Sequence, residues 1–326
     1  MFLKEQQGFV SGQDICDQLG ISRTAVWKYI NKLKEEGYEI ESVTRKGYRL
    51  LQSPDFMTEE ELIQNLPDGT LAGDVIYYDS VDSTNEEAKR KAAQGAPDES
   101  LYFADNQTAG KGRRGRTWVS PKGEDIFFSL LLRPELPVES ASMLTLVAAL
   151  AAAAVSEKYT GETCQIKWPN DIVLHDKKVC GILTEMGLEM NEISYIVVGV
   201  GFNVNRTEFS EDISDMASSL CKETGKKVPR AQFLADFLVE FMNRYRRFLK
   251  EQNLASFVEE YESHLVNIGR KVKIIRKGQE EIRTALGINE MGELIVQKET
   301  GELETVFTGE VSVRGLYGYV YRRMSC

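Results

Sequence analysis

Nine consecutive residues, Gly110-Lys111-Gly112-Arg113-Arg114-Gly115-Arg116-Thr117-Trp118, place four cations on a glycine-rich backbone. Glycines let the main chain approach a ligand closely and expose its N–H groups. Arginine and lysine add charge-assisted bonds to phosphate or carboxylate. Such a loop suits several anionic groups at once, for example a carboxylate and a triphosphate. Gly110, Gly112 and Gly115 satisfy G-x-G-x-x-G, but a dinucleotide fold needs a strand running straight into the glycines and a helix behind them. Here Asp105-Asn106-Gln107-Thr108 intervenes, and Thr117 to Leu132 reads as loop and strand. No G-x-x-x-x-G-K-[ST] is present, and the kinase catalytic-loop and D-F-G signatures are missing. A solvated basic loop is the plain alternative; four cations among nine residues weigh against it in a chain of net charge −10.

Four further constellations carry polar chemistry. Trp118 closes the loop and suits either stacking on a nucleobase or core packing. In Lys167-Trp168-Pro169-Asn170-Asp171, the proline sets the backbone and the next two residues place polar groups at a strand start. Lys178 leads into the apolar run Val179-Cys180-Gly181-Ile182-Leu183. It is either a hairpin-tip charge or an ammonium aimed into a site. Ser83 and Glu86 fit a capping box at the start of a helix, and a helix N-terminus also receives anions. Gly199-Val200-Gly201-Phe202-Asn203 ends an apolar strand, as a turn or as the polar wall of a site.

Three segments must position these groups. In the first, Ser22 is a good N-cap, and Ala25, Val26, Tyr29, Ile30 and Leu33 follow helical spacing. With the Gly20 turn before it, this predicts a helix-turn-helix, followed by a β-hairpin with Arg45-Lys46-Gly47 at its tip. Residues 1–51 hold eight Lys/Arg and seven Asp/Glu, net +1, so the remainder carries −11. Ser22, Arg23, Thr24 and Lys28 are the candidate DNA contacts. The plain alternative is a helical interaction domain with a solvated charged face. Ser53-Pro54-Asp55 and Leu66-Pro67-Asp68-Gly69 break the pattern on either side of a short linker helix.

The second segment predicts strands at 75–78, 101–104, 126–132, 172–174 and 195–200. Helices are expected near 84–94, 140–159, 229–249 and 254–265. Without strict alternation this is an α+β, mixed-sheet domain. The third segment holds five short strands from Ile268 onward, with Gly278, Gly292 and Gly301 at turns, and predicts a small antiparallel barrel.

At 326 residues and 42% hydrophobic, the chain has material for two or three domains. Net charge −10 argues against a protein that coats polyanions along its whole surface. The start, MFLKEQQGFV, has no apolar run of a secretory leader. The longest apolar stretch, Leu144 to Val155, is shorter than the ~20 residues of a bilayer span. Five cysteines (Cys16, Cys164, Cys180, Cys221, Cys326) and two histidines (His175, His264) give no zinc-site spacing. The expectation is a reduced, cytoplasmic setting, no metal held by the protein and no membrane partner.

Taken as an ordered set, Asp82-Ser83-Thr84-Asn85, Gln107, the basic loop, Lys167 to Asp171, Lys178 before a glycine-containing strand and Gly201-Phe202-Asn203 resemble the biotin protein ligase family. The resemblance is to the bifunctional form that also represses biotin operons, and it covers essentially the whole chain. It implies a winged helix-turn-helix with linker (1–65), a class II synthetase-like ligase domain with a mixed sheet (66–267) and an SH3-like β-barrel (268–326). Ser83, Thr84, Asn85, Gln107, Gly110, Lys111, Gly112, Arg113, Arg116, Trp118, Asn170, Lys178, Gly181 and Asn203 would bind biotin and its adenylate. Lys178, Arg113 and Arg116 would be catalytic, and Trp118 would stack on adenine. ATP with Mg²⁺ would be consumed, biotin transferred to a biotin carboxyl carrier protein, and operator DNA bound by a ligand-promoted homodimer. Lys111 stands where the family usually has arginine; it keeps the charge and loses the planar fork. A ligand-sensing repressor without ligase activity and a lipoate-type ligase are the alternatives.

Overall fold

Two serines begin the two N-terminal helices. Ser11 Oγ accepts the Asp14 N–H at 3.1 Å to start α1 (Gly12–Leu19), and left-handed Gly20 ends it. Ser22 Oγ accepts the Ala25 N–H at 3.3 Å ahead of α2 (Arg23–Glu35). The antiparallel pair β1 (Glu39–Val43) and β2 (Gly47–Gln52) forms the wing. Ile15, Val26, Ile30, Tyr38 and Ile40 fill a small core. In this computed structural model, which describes residues 3, 6, 8–35, 37–52, 54–276, 279–307 and 312–315, the expected turns at Ser53 and Gly278 and the stretch 316–326, with Cys326, lie outside the described residues.

The remaining elements form a second unit, starting at Met57. In chain order they begin with α3 (Glu59–Asn65), β3 (Val75–Tyr78), α4 (Thr84–Ala93), β4 (Ser100–Ala104), β5 (Ile126–Leu132) and α5 (Met143–Thr160). They continue with β6 (Gln165–Lys167), β7 (Asp171–Leu174), β8 (Lys177–Glu189), β9 (Glu192–Phe202), α6 (Leu220–Thr224), α7 (Arg230–Glu251) and α8 (Val258–His264). The last five strands are β10 (Lys271–Arg276), β11 (Gln279–Ile288), β12 (Leu294–Gln297), β13 (Leu303–Val306) and β14 (Ser312–Gly315).

A seven-stranded sheet, ordered β3-β4-β5-β9-β8-β7-β6, is parallel only between β3 and β4, and so is mixed as expected. Side chains of β5 alternate between its two faces. Ile126, Phe128, Leu130 and Leu132 enter the large core with α5 and α7, while Leu131 faces the side covered by α4. The apolar stripe of α7 supplies Phe233, Phe237 and Phe241; Phe128 and Phe202 meet Phe237 edge-on at centroid distances of 5.0 and 5.7 Å. The stretch Val138–Thr160, containing α5, is long and apolar enough to cross a membrane, yet most of it is buried in this core.

The chain divides by packing after Phe56. The reason is α3: the helix read as a linker packs against α7, and its Leu62 is fully buried in the large core. The third segment is a five-stranded antiparallel sheet, β13-β12-β11-β10-β14. It does not stand apart, because Val272, Ile274, Ala285, Leu294 and Val296 join the same apolar core.

Candidate active site

The basic loop folds into a tight hairpin. Gly110 O accepts the Trp118 N–H at 2.9 Å, and the Gly112 N–H reaches Arg116 O at 2.7 Å. Arg114 sits at its apex with φ 59°. A Cβ at Gly110 would lie 2.5 Å from Trp118 O, so the return strand can pass only a glycine. Arg113 turns inward, and its Nη1 donates to Asn170 Oδ1 at 2.8 Å. Burial pulls its guanidinium below the usual arginine value.

The floor lies opposite this hairpin on β8 and β9. Gly181 faces Gly201 and Leu183 faces Gly199 in the strand register. A Cβ at Gly181 or Gly201 would lie 2.8 or 2.7 Å from the Trp118 ring, and one at Gly199 would collide with Asn85 Oδ1. The missing side chains therefore make room for an indole plane and an amide. Trp118 is half-buried there, and its Nε1 makes no hydrogen bond. The Lys178 ammonium lies 5.0 Å from the ring centroid.

Lys178 reaches this floor through a β-bulge. Ile172 pairs with Cys180 but Val173 pairs with Lys178, so Val179 is an extra residue. Directly opposed residues point to one face of a sheet. The bulge thus aims Lys178 to the same side as Val173, Asp171 and Gly181. Asp171 Oδ1 receives the Lys178 ammonium at 2.5 Å and Asn170 Nδ2 at 3.0 Å.

The third wall is the N-terminus of α4. Ser83 is its N-cap, but the expected Ser83–Glu86 capping box does not form. Gln107 Oε1 takes the Thr84 N–H at 2.9 Å, and Glu86 is drawn to Lys89 and Lys111 at 2.7 and 2.6 Å. Ser129 lies 2.6 Å from Asn85 Oδ1 and 2.8 Å from Thr84 Oγ1, while Asn85 Nδ2 donates to Glu185 at 2.8 Å. Asp82 braces the turn before the helix. Its carboxylate receives both Arg90 Nη groups at 2.9 and 2.7 Å, and this pairing holds its pKa down at about 2.

These walls line one cavity that opens to solvent. Of the residues proposed from sequence, Ser83, Thr84, Asn85, Gln107, Lys111, Gly112, Arg113, Trp118, Asn170, Lys178 and Gly181 line the cavity. Three do not. Gly110 serves the hairpin closure described above. Arg116 projects outward into solvent, because the hairpin that turns Arg113 in leaves Arg116 on its outer side. Asn203 is buried and already engaged: its Nδ2 donates to Ser218 O at 2.9 Å, and its Oδ1 accepts from Arg206 at 2.7 Å. It latches the segment leading to α6. Sequence reading missed Ser129; Leu183, Gly199 and Asp171 were read within their motifs but not among the ligand contacts. A glycine at every second place of β9 was the available sign for Gly199.

In the N-terminal unit, Ser22, Arg23, Thr24 and Lys28 are all exposed on or at the start of α2. Arg23 shares Gln13 Oε1 at 2.9 Å, which orients its guanidinium. Trp27, not singled out from sequence, and Tyr29, read there as part of the helical spacing, are each 58% exposed on the same helix.

A winged-helix unit, followed by a mixed sheet whose cavity gathers fixed cations, an aromatic plane and a helix N-terminus, describes a ligase-type domain joined to a DNA-binding module. Comparison with known proteins agrees. The biotin/lipoate A/B protein ligase family matches residues 77–203, an HTH domain matches 1–49, and the biotin protein ligase C-terminal domain matches 268–314. The bifunctional ligase/repressor BirA of Bacillus subtilis is 37% identical over 96% of both chains. That of Escherichia coli is 29% identical over 94% of this chain and 93% of its own. A biotin protein ligase from Aquifex aeolicus, solved with biotin and ATP, superposes with a TM-score of 0.66 at 33% identity, covering 74% of this chain and 99% of that one. The chain belongs to the biotin protein ligase family, in its bifunctional ligase and repressor form.

Two outcomes follow from the geometry. Gly201→Ala pushes the Trp118 indole off its floor; tryptophan emission shifts to the red and acrylamide quenching rises, and neither change occurs in a Trp118→Phe background. The Asp82–Arg90 pair depresses a folded-state carboxylate pKa, so its contribution is present above about pH 4 and is lost as pH falls towards about 2. Both partners are half-exposed, so the contribution is about 0.2–1 kcal/mol. Asp82→Asn removes it, and acid unfolding followed by circular dichroism becomes flatter over that window.

Proposed function

We propose that this chain joins biotin to the lysine of a biotin carboxyl carrier protein through biotinyl-5′-AMP, and represses transcription when that adenylate is bound. The observation that carries the reading is the convergence of Arg113 and Lys178, from a loop and a strand, beside the Trp118 plane and the α4 N-terminus.

The chemistry needs such an arrangement. In the first step a biotin carboxylate oxygen bonds to the α-phosphorus of MgATP and the bond to pyrophosphate breaks. Two anions must meet, and the five-coordinate phosphorus gains charge. Arg113 and Lys178 are held where that charge develops, so little reorganisation is needed. Ser83, Thr84, Asn85 and Gln107 offer hydroxyl and amide groups to the polar end of biotin, and Trp118 offers its face to adenine. Mg²⁺ arrives with the triphosphate; among the described residues no group of three His, Cys, Asp or Glu is arranged to hold a metal ion. In the second step the carrier lysine's neutral amine attacks the acyl carbon, AMP leaves, and the new amide nitrogen loses its proton. Trapping the adenylate away from water protects it until the carrier docks.

The repressor half rests on α2 and the wing. Arg23, Thr24 and Lys28 suit phosphates and base edges, and Arg45 and Lys46 at the wing tip suit the backbone. A net charge near +1 gives one module modest affinity, so we place two copies on paired half-sites, joined when the adenylate orders the basic loop. We place this activity in the cytoplasm, with the carrier and the operator.

Intact-mass spectrometry of a purified carrier domain, incubated with this protein, biotin and MgATP, is expected to gain one biotinyl group. No gain on a carrier proven competent with another ligase supports the sensor-only reading, and preference for lipoate in competition supports the lipoate-type reading. Lys178→Ala slows adenylate formation by about two to three decades, the usual effect of losing one group that stabilises developing charge; a near-normal rate removes Lys178 from that role. Operator affinity, measured by fluorescence anisotropy, rises when biotin and ATP are both present. Equal binding without them breaks the link between ligand and repression.

A further inference from the structure

We propose that Asp171 is a positioning residue that joins the two cavity cations into one unit; this deepens the ligase reading above. The side chain sits at the start of β7 and is 12% exposed. Its Oδ1 receives Lys178 at 2.5 Å and Asn170 Nδ2 at 3.0 Å, and Asn170 Oδ1 receives Arg113 at 2.8 Å. Arg113, Asn170, Asp171 and Lys178 are thus one continuous hydrogen-bonded chain across the cavity. It joins the glycine-rich hairpin to the bulged β8 strand. Asn170 is itself pinned, since its Nδ2 lies 3.1 Å from Ile182 O.

Electrostatics explains why an anion belongs at this node. Two cations beside one cavity repel each other, and a lysine stem has many rotamers. One carboxylate between them lowers the repulsion and selects the lysine rotamer that faces the floor. The cations then occupy their places before the phosphate gains charge. The same chain makes hairpin docking and Lys178 placement a single event. Asp171 touches Lys178 and Asn170, so its effect on the reaction must pass through them.

Asp171→Asn keeps the shape and removes the charge. We expect kcat for pyrophosphate release, with biotin and MgATP, to fall at least tenfold, with the biotin KM changing less than threefold and an unchanged melting temperature. The loss is expected to vanish when Lys178 is already alanine, so that Asp171→Asn/Lys178→Ala matches Lys178→Ala alone. Asp171→Glu, which keeps the charge, is expected to recover part of the rate, and it runs the same cycle if the asparagine variant melts early. Wild-type rates in Asp171→Asn, or penalties that multiply in the double variant, overturn the proposal while leaving the ligase reading intact. A wild-type protein that releases no pyrophosphate with biotin and ATP removes both.

Discussion

The site depends on how closely an indole and an amide can approach a pair of strands without side chains. Trp118 and Asn85 come from a loop and a helix on different parts of the chain, yet both rest on β8 and β9 at Gly181, Gly199 and Gly201. Each glycine removes a Cβ that would otherwise occupy the space of an aromatic edge or an amide oxygen. The cavity is therefore a property of strand register: Gly181 and Gly201 face each other, so their missing side chains open one continuous floor. The basic hairpin, the α4 N-terminus and the Asp171 chain are walls set around it.

The parts of the molecule visible in the sequence were those with local signals. Dense charge and glycine marked the loop, serine caps and Gly20 marked the helix-turn-helix, and short apolar runs marked the strands. All three classes came out in their places. The errors arose where a distant partner decided the outcome. Ser83 and Glu86 had the spacing of a capping box, but the Ser83 N–H goes to Asp82 and the Glu86 carboxylate to Lys111, 25 residues away. Asn203 had the composition of a ligand group, and no local signal showed that its amide also bonds Ser218 and Arg206. Arg113 and Arg116 are chemically alike, and only the hairpin's course separates the one inside from the one outside.

Packing and chain order divide the molecule differently for a related reason. A break in pattern marks a turn, and it does not say which core the next helix joins. Leu62 carries α3 into the larger core, so the division comes earlier than the second proline-glycine break. At the other end, the Trp168 indole N–H donates to Gly292 O at 3.0 Å, and the Trp168 backbone N–H donates to Asn267 Oδ1 at 2.9 Å. The C-terminal sheet and the turn before it thus grip the segment that presents Asn170 and Asp171. Covalently the sheet is an appendix to the ligase fold; in packing it is part of the support of the active site.

The bulge at Val179 has a meaning for how this family can change. Side chains on a strand alternate faces, so the face a residue occupies is a matter of parity. Lys178 reaches the cavity because one surplus residue shifts that parity between Val173 and Cys180. Its address is written in the count of residues around the β7–β8 hairpin as much as in its own identity. An insertion or deletion of one residue there would leave every amino-acid type intact and turn the ammonium towards the apolar core. The hairpin can drift in composition far more freely than in length.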